Sequence, residues 1–168
     1  MRKFVLMALL AVATITVAQE KKFVIKGEMS SPKLCYSENF VTEVQLDHVG
    51  DGMHVPLAKA TVENNRFTIE GVAPENPVIA YIKGFDNGSI QLFLEEGEIK
   101  VGPFDAAYPV AARVTGTPSN DTYQEFIEIN NRCIEEGKVR MKKTKALIPA
   151  ELKDDHRVEL EYTTPTFY

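Results

Sequence analysis

The sequence has no tryptophan and only two cysteines, Cys35 and Cys133. They are too far apart to form a C-x-x-C motif, which excludes the usual dithiol redox centre and the short-spaced metal motif. There is no G-x-S-x-G nucleophile elbow, and Gly84–Gly88 contains no phosphate-binding loop. From these absences we expect that the protein is not an enzyme and binds no cofactor.

Long apolar runs are also missing after the first eighteen residues. Two basic residues precede an apolar run from Phe4 to Val17, and Thr16 and Ala18 fit the −3 and −1 positions of a signal-peptidase site. A membrane-spanning helix needs about 20 apolar residues, and this run is shorter and followed at once by charged residues. We therefore predict that residues 1–18 are a signal peptide. The mature protein would begin at Gln19, without a transmembrane anchor, in the periplasm or outside the cell.

The charge balance is acidic. The net charge is −5, and removing the two basic residues near the start makes it −7. Nucleic acid requires a basic surface, so we do not expect it as a partner.

Short apolar or alternating segments separated by turn residues recur between residues 23 and 114. This pattern is typical of an antiparallel β-sandwich or open barrel. Hairpin turns are predicted at Asn64-Asn65 and at Asp86-Asn-Gly88, because these residues tolerate positive φ. About eight strands are predicted: Phe23–Gly27, Phe40–Asp47, Leu57–Glu63, Arg66–Glu70, Val78–Lys83, Ile90–Leu94, Ile99–Val101 and Val110–Val114.

The periodicity becomes helical after residue 116, and Ser119 is a candidate helix cap. One stripe of the predicted helix contains Tyr123, Phe126, Ile127, Asn130, Ile134 and Met141. We expect Tyr123, Phe126 and Ile127 to pack on the sheet. The predicted organisation is a sandwich over residues 19–116 and a helix over 117–148 that packs on the sandwich or extends from it. A polar tail over 149–168 follows, with a second helix as an option before a frayed end.

Several of these segments resemble one family as a set. They are Phe23-Val-Ile-Lys-Gly27, Ala60–Phe67, Glu70-Gly71, Phe93–Val101 and Val114–Phe126, the last containing Gly-Thr-Pro-Ser-Asn. The set, covering about Phe23 to Phe126, resembles a domain of unknown function at the N-terminus of secreted bacterial thiol–disulfide interchange proteins. There it precedes a thioredoxin-like domain of the AhpC/TSA or TlpA type.

The resemblance implies a β-rich N-terminal module without the redox domain. The sequence ends at Tyr168, about where we expect a thioredoxin-like domain to begin, so the family's redox cysteines have no counterpart here. The role of the module itself is unknown in the family.

Three groups of polar residues were considered as sites. Asp47, His48, Asp51 and His54 are the metal candidates, but their spacing matches no established site and we expect no metal. Glu95, Glu96 and Glu98 are interpreted as exposed turn residues rather than paired catalytic acids. Five basic residues between Lys138 and Lys145 are interpreted as a solvated helix end, with anionic lipid or a partner as the alternative.

The cysteines leave two possibilities open in an oxidising compartment. Cys35 and Cys133 either form a disulfide or remain separate buried thiols.

The favoured function is a non-catalytic envelope module that acts through binding or protein interaction. The alternative is an accessory or truncated partner of a thiol–disulfide interchange system, and a small-ligand carrier is a third option. The partner would be an unknown protein or small ligand of the envelope, or a separate thioredoxin-like protein.

Overall fold

The computed structural model describes residues 20–50 and 52–149. The predicted signal peptide and residues 150–168 of the predicted tail lie outside this part of the chain. Eight strands and one long helix follow in chain order: β1 Lys22–Ser31, β2 Glu43–Gly50, β3 Met53–Thr61, β4 Arg66–Val72, β5 Val78–Lys83, β6 Ile90–Leu94, β7 Gly97–Asp105, β8 Val114–Thr115 and α1 Pro118–Ala146.

The strands form two four-stranded sheets that do not close into a barrel. The first sheet has the order β4-β1-β7-β8 and the second has the order β3-β2-β5-β6. The predicted fold class, mostly β with a C-terminal helix, is confirmed. One pairing departs from the antiparallel pattern, because β1 and β7 run parallel. Parallel neighbours need a long crossover connection, and here the chain builds the second sheet between them.

The link between β3 and β4 differs from the predicted hairpin. Asn64 and Asn65 adopt positive φ values of 49° and 62°, as expected for a tight turn. However, β3 and β4 belong to different sheets, and only Glu63 and Arg66 bridge across the turn. The turn therefore carries the chain from the second sheet to the first.

Two copies of the sequence pattern F-x-I-x-G explain the pairing of β1 with β4. Phe23 lies opposite Gly71, and Gly27 lies opposite Phe67. Both phenylalanine rings are buried over the glycine of the facing strand, and a Cβ added to Gly27 would lie 2.0 Å from the Phe67 ring. Each glycine therefore leaves room for a ring, which fixes the register of this pair.

The core lies between the two sheets and is filled by aliphatic side chains. Strand alternation points every second residue inward, as predicted from the sequence. Each of these side chains contributes about 1.5–3 kcal/mol through burial. The largest fully buried apolar residues are Ile25, Val44, Leu46, Ile69, Ile82, Ile90, Leu92, Leu94, Ile99 and Val101.

The helix α1 contacts β6 and β8, the edge strands on one side of the sandwich. Tyr123 and Ile127 are partly buried there, whereas Phe126 is 61% exposed. The expectation that Tyr123, Phe126 and Ile127 all pack on the sheet is therefore wrong for Phe126. Ile134 and Met141, further along the same stripe, are also exposed. The helix covers the open side with its first turns and extends beyond it.

Candidate functional site

The two sheets present very different outer faces. On the first sheet, outward side chains of β1, β4 and β7 are mostly charged and form exposed ion pairs. Lys26 Nζ lies 2.5 Å from Glu98 Oε2, and Arg66 Nη2 lies 3.1 Å from Glu28 Oε1. Such pairs contribute about 0–1 kcal/mol each, so they add little to the stability of the fold.

The outer face of the second sheet carries apolar and aromatic side chains instead. Ile79 and Phe93 are register partners on β5 and β6, and Ile79 is 40% exposed. The first turns of α1 add Tyr123 and Phe126 beside them. The Phe93 and Tyr123 rings meet edge to face at 5.5 Å, and Tyr123 stacks on Phe126 at 6.4 Å. We call the surface formed by Ile79, Phe93, Tyr123 and Phe126 the aromatic face.

Hydrogen bonds hold the aromatic face in place from one side. Gln91 Nε2 donates to the Tyr123 hydroxyl at 3.1 Å, and the Tyr81 hydroxyl donates to Gln91 Oε1 at 3.4 Å. The His54 ring packs against Tyr81 edge to face at 5.1 Å. This series of contacts joins β3, β5, β6 and α1, so the Tyr81 and Tyr123 rings are already ordered.

Asp47 lies next to this network and is a buried charge, only 2% exposed. Its carboxylate accepts hydrogen bonds from Lys83 Nζ and from Gln45 Nε2, both at 2.6 Å. Burial raises the pKa of Asp47, but these hydrogen bonds and the positive charge of Lys83 outweigh burial and leave the pKa below its ordinary value. Asp47 therefore stays ionised at neutral pH and acts as a structural anion rather than a proton donor.

The structure does not assemble the metal candidates into one site. The Asp47 carboxylate is already bound by Lys83. His48 is the register partner of Ala80, which faces inward, so the His48 side chain lies on the opposite side of the sheet from Asp47. Asp51 lies outside the described residues. Within the described residues, no group of three or more ligating side chains is close enough to hold a metal ion.

Asn120 explains how the helix is attached to the edge of the second sheet. Its fully buried side chain accepts a hydrogen bond from the Phe93 backbone N–H at 2.8 Å and donates to the Phe93 carbonyl oxygen at 2.7 Å. It also donates to Thr117 Oγ1 at 2.8 Å. The amide thus replaces a neighbouring strand along one residue of β6, which blocks pairing with another chain at that point.

Glu95 completes the attachment and has a different role from the one predicted. Its carboxylate accepts from the Ser119 backbone N–H at 2.8 Å and from the Ser119 hydroxyl at 2.9 Å. The helix begins after Thr117, so Ser119 lies inside its first turn and is not the cap. Ser119 instead donates to the Glu95 carboxylate, whose negative charge is favoured at a helix N-terminus by the helix dipole. The interpretation of Glu95 as a simple exposed acid is wrong.

The remaining residues of the Gly-Thr-Pro-Ser-Asn segment also serve the attachment. Gly116 has φ 103°, and a Cβ there would lie 2.4 Å from the Glu98 carbonyl oxygen. Its N–H donates to Asp121 Oδ1 at 2.8 Å. This segment, the most specific motif of the sequence, is therefore explained by folding and leaves no group for ligand chemistry.

The other two acids near this turn are held by lysines. Glu98 pairs with Lys26 and Lys100, and Glu96 pairs with Lys21. The hydrogen bond from Lys26 lowers the pKa of Glu98, so it stays ionised at neutral pH. Neither acid faces a second carboxylate in a catalytic arrangement.

Cys35 lies in a loop organised by Asp86. The Asp86 carboxylate accepts hydrogen bonds from the backbone N–H groups of Cys35, Tyr36 and Ser37 at 2.8–3.2 Å. In the structure Cys35 is a partly buried free thiol, and Cys133 is an exposed free thiol on α1. The structure therefore lacks the predicted bridge. Pairing under oxidising conditions stays a prediction, which mass spectrometry of the native protein with and without reductant tests.

A groove of about 230 Å³ borders the aromatic face where α1 crosses the sandwich edge. Ligand pockets usually measure about 300–1,000 Å³, so this groove suits one inserted side chain better than a small-molecule ligand. It is lined by Tyr81, Gln91, Val110, Val114, Tyr123 and Ile127, among others.

The described helices include none that is both long and apolar enough to cross a membrane.

Together, the fold and the aromatic face define a class: an open two-sheet β-sandwich whose side is covered by a docked helix. The chain matches the family described as a domain of unknown function, DUF4369, over residues 23–123, and it belongs to that family. No curated protein and no solved structure matches it.

Sequence reasoning missed the aromatic face because its members come from three separate elements. Ile79 and Phe93 alternate with buried residues and had been counted simply as strand residues. The signal was nevertheless present, since β5 and β6 are apolar on both faces. A strand that is apolar on both faces indicates a covered or binding outer surface.

Proposed function

We propose that this protein is an exported, non-catalytic module of the cell envelope that binds a protein partner through the aromatic face. The observation that carries the proposal is the contiguity of Ile79, Phe93, Tyr123 and Phe126 on one outer surface. Contiguous exposed apolar side chains that the fold does not need are typical of interaction sites. Aromatic residues are also enriched at the centres of such sites.

Two further features support a protein over a small ligand. The adjoining groove of about 230 Å³ is of side-chain size, and the wider one of about 450 Å³ over Phe93, Tyr123 and Phe126 is open to solvent. The Tyr123 ring between them is held by the hydrogen bond from Gln91. An ordered surface loses less conformational entropy on binding than a mobile one. Export is supported by the apolar run and cleavage signal at the start of the sequence.

Site-specific photocrosslinking tests the binding face. A photoreactive residue replaces Phe126 or Ile79, and the matched control replaces Thr68, which is exposed on the charged face of the first sheet. In a native envelope fraction we expect a discrete protein adduct from the first two positions and none from the third. Adducts of equal yield from Thr68, or none from Phe126 and Ile79, would contradict the proposal.

A second candidate function is that of an accessory partner, the binding half, of a thiol–disulfide interchange system. The resemblance of the sequence motifs and the two free thiols favour it. The same crosslinking separates the candidates: a thioredoxin-like protein in the adduct supports the second, and any other protein supports a general interaction module.

A further inference from the structure

The part of α1 beyond the sandwich carries a stripe without charged residues. Asn130, Ile134, Gly137, Met141 and Thr144 recur at the spacing of one helix face. We call this set the helix stripe. Ile134 and Met141 are 46% and 48% exposed, so the sandwich does not cover them. A helix of this length gains most of its stability from a buried face, so an uncovered stripe indicates a missing contact.

Gly137 lies in the middle of the helix stripe. A Cβ added there would meet no atom within 4 Å, so no contact within the described chain requires glycine. Glycine inside a helix costs about 1 kcal/mol relative to alanine. Its presence is explained if another backbone approaches the stripe closely at this point.

The charges beside the helix stripe select an acidic occupant. Residues 132–146 contain six basic and two acidic side chains, a net charge of +4. On a helix, Lys138 and Arg140 lie on opposite borders of the stripe. A second copy of the chain would bring the same positive charge to the contact, so the charges disfavour it.

An acidic segment of the right length follows in the same chain. Residues 150–162 contain five acidic and two basic side chains, a net charge of −3. The helix ends at Ala146, and Pro149 prevents it from continuing. Ile148 extends the line of the stripe and is only 6% exposed, whereas Leu147 is 75% exposed. Ile148 therefore places an apolar, buried side chain just after the helix, three residues before the acidic segment's first carboxylate.

We propose that residues 150–162 occupy the helix stripe of their own chain, with their acidic side chains between the basic borders. The short connection gives the segment an effective concentration of about millimolar or higher, which an external partner rarely reaches. This contact is independent of the aromatic face and of the function proposed for it.

Hydrogen exchange of the full chain tests the contact. Lys138→Glu with Arg140→Glu is expected to speed amide exchange of residues 134–145 by about tenfold or more, because the distal helix loses its cover. The matched control, Arg132→Glu with Lys143→Glu, makes the same charge change away from the stripe and should leave the rates within about twofold. Adding Asp154→Lys with Asp155→Lys to the first variant should restore protection.

Two further arms identify the occupant. Ending the chain after Pro149 should speed exchange in the distal helix without affecting the sandwich. Protection in the full chain should be the same at low and high protein concentration. Equal rates in the shortened chain, failure of the charge swap to restore protection, or protection that grows with concentration would each overturn the proposal. The last result would assign the stripe to a second copy.

Discussion

Asn120 lies where the helix meets the edge of β6, and its side chain bonds backbone groups that the edge strand would otherwise leave unpaired. Its amide satisfies both the N–H and the carbonyl of Phe93, at 2.8 and 2.7 Å. Removing it leaves two polar groups of the edge without a protein partner, in a region that the helix shields from water. Buried groups without partners cost about 1–3 kcal/mol each.

Asn120→Ala is therefore expected to lower the free energy of unfolding by about 2–4 kcal/mol. Urea denaturation of the mature protein measures it. Asn131→Ala, on the exposed part of the same helix and outside the helix stripe, is the control and should change the stability by less than about 0.5 kcal/mol. Similar midpoints for the two variants would show that the Asn120 contact is not what attaches the helix.

The Asp47 carboxylate gives a prediction for acid pH. Because its folded-state pKa lies below the ordinary value of 3.8, its contribution to stability is complete above that value. The contribution disappears as the pH falls through the folded-state pKa. We expect the urea midpoint of the wild type to fall more steeply below about pH 4 than that of Asp47→Asn. Parallel curves for the two proteins would contradict the assignment.

At the scale of elements, the strands were predicted well and their partners less well. Alternation located the strand β2, because burial of one face imposes a period of two, and short apolar runs located most of the others. The predicted strand Val110–Val114 is wrong except at its end, since Pro109–Ala111 form a 3-10 helix and β8 is Val114–Thr115. The pattern does not identify neighbours, so the parallel β1–β7 pair and the passage between sheets at Asn64-Asn65 were missed. The repeated F-x-I-x-G pattern would have given the β1–β4 register, since each ring needs a glycine opposite.

The helix was located correctly from its periodicity, but its buried length was overestimated. Periodicity reports which residues share a face, not how far the neighbouring surface extends. The sandwich edge supports only the first turns of α1, so the same stripe passes from partly buried Tyr123 and Ile127 to exposed Met141. The attachment site depends on Glu95 and Phe93, which are distant in sequence, and no local pattern reveals them.

The stability effect of Phe126 follows from this geometry. Full burial would make Phe126→Ala cost about 3–5 kcal/mol. Since the side chain is 61% exposed, we expect a loss below about 1 kcal/mol. Ile82→Ala in the fully buried core should cost about 2–5 kcal/mol and serves as the comparison. A large loss for Phe126→Ala in urea denaturation would mean that the aromatic face is a core surface.

At the scale of the whole molecule, the two outer faces differ in polarity. The ion-paired face of the first sheet keeps charges in solvent, and the second sheet concentrates its apolar side chains beside the helix. This division is what the proposed binding role of the aromatic face requires, because the opposite outer face is mostly charged.

Export itself makes a direct prediction. The mature protein is expected to begin at Gln19, because Thr16 and Ala18 provide the small residues that signal peptidase requires. N-terminal sequencing of the protein from a native envelope fraction measures this. Recovery of the chain with Met1 intact in the membrane fraction would show that the apolar run is retained as an anchor.

The whole molecule is finally expected to lack thiol–disulfide reductase and peroxidase activity. These reactions require a reactive thiolate, commonly at a helix N-terminus. They also require a resolving cysteine, either separated from the first by two residues in a C-x-x-C motif or elsewhere within reach. Cys133 lies in the middle of α1, far from the helix start at Pro118. Cys35 lies in the loop between β1 and β2. Neither thiol has a second cysteine near it in sequence.

Insulin reduction and peroxide consumption by the purified mature protein test this expectation. The matched control is the double variant Cys35→Ser with Cys133→Ser, which keeps the fold because neither side chain belongs to the core. Equal background rates for the two proteins are expected. Turnover by the wild type above that of the double variant would establish a redox function for the chain itself. The double variant is a valid background because serine cannot form the mixed disulfide on which thiol exchange depends. Such turnover would therefore mean that the protein is an active component of thiol exchange and not a non-catalytic module.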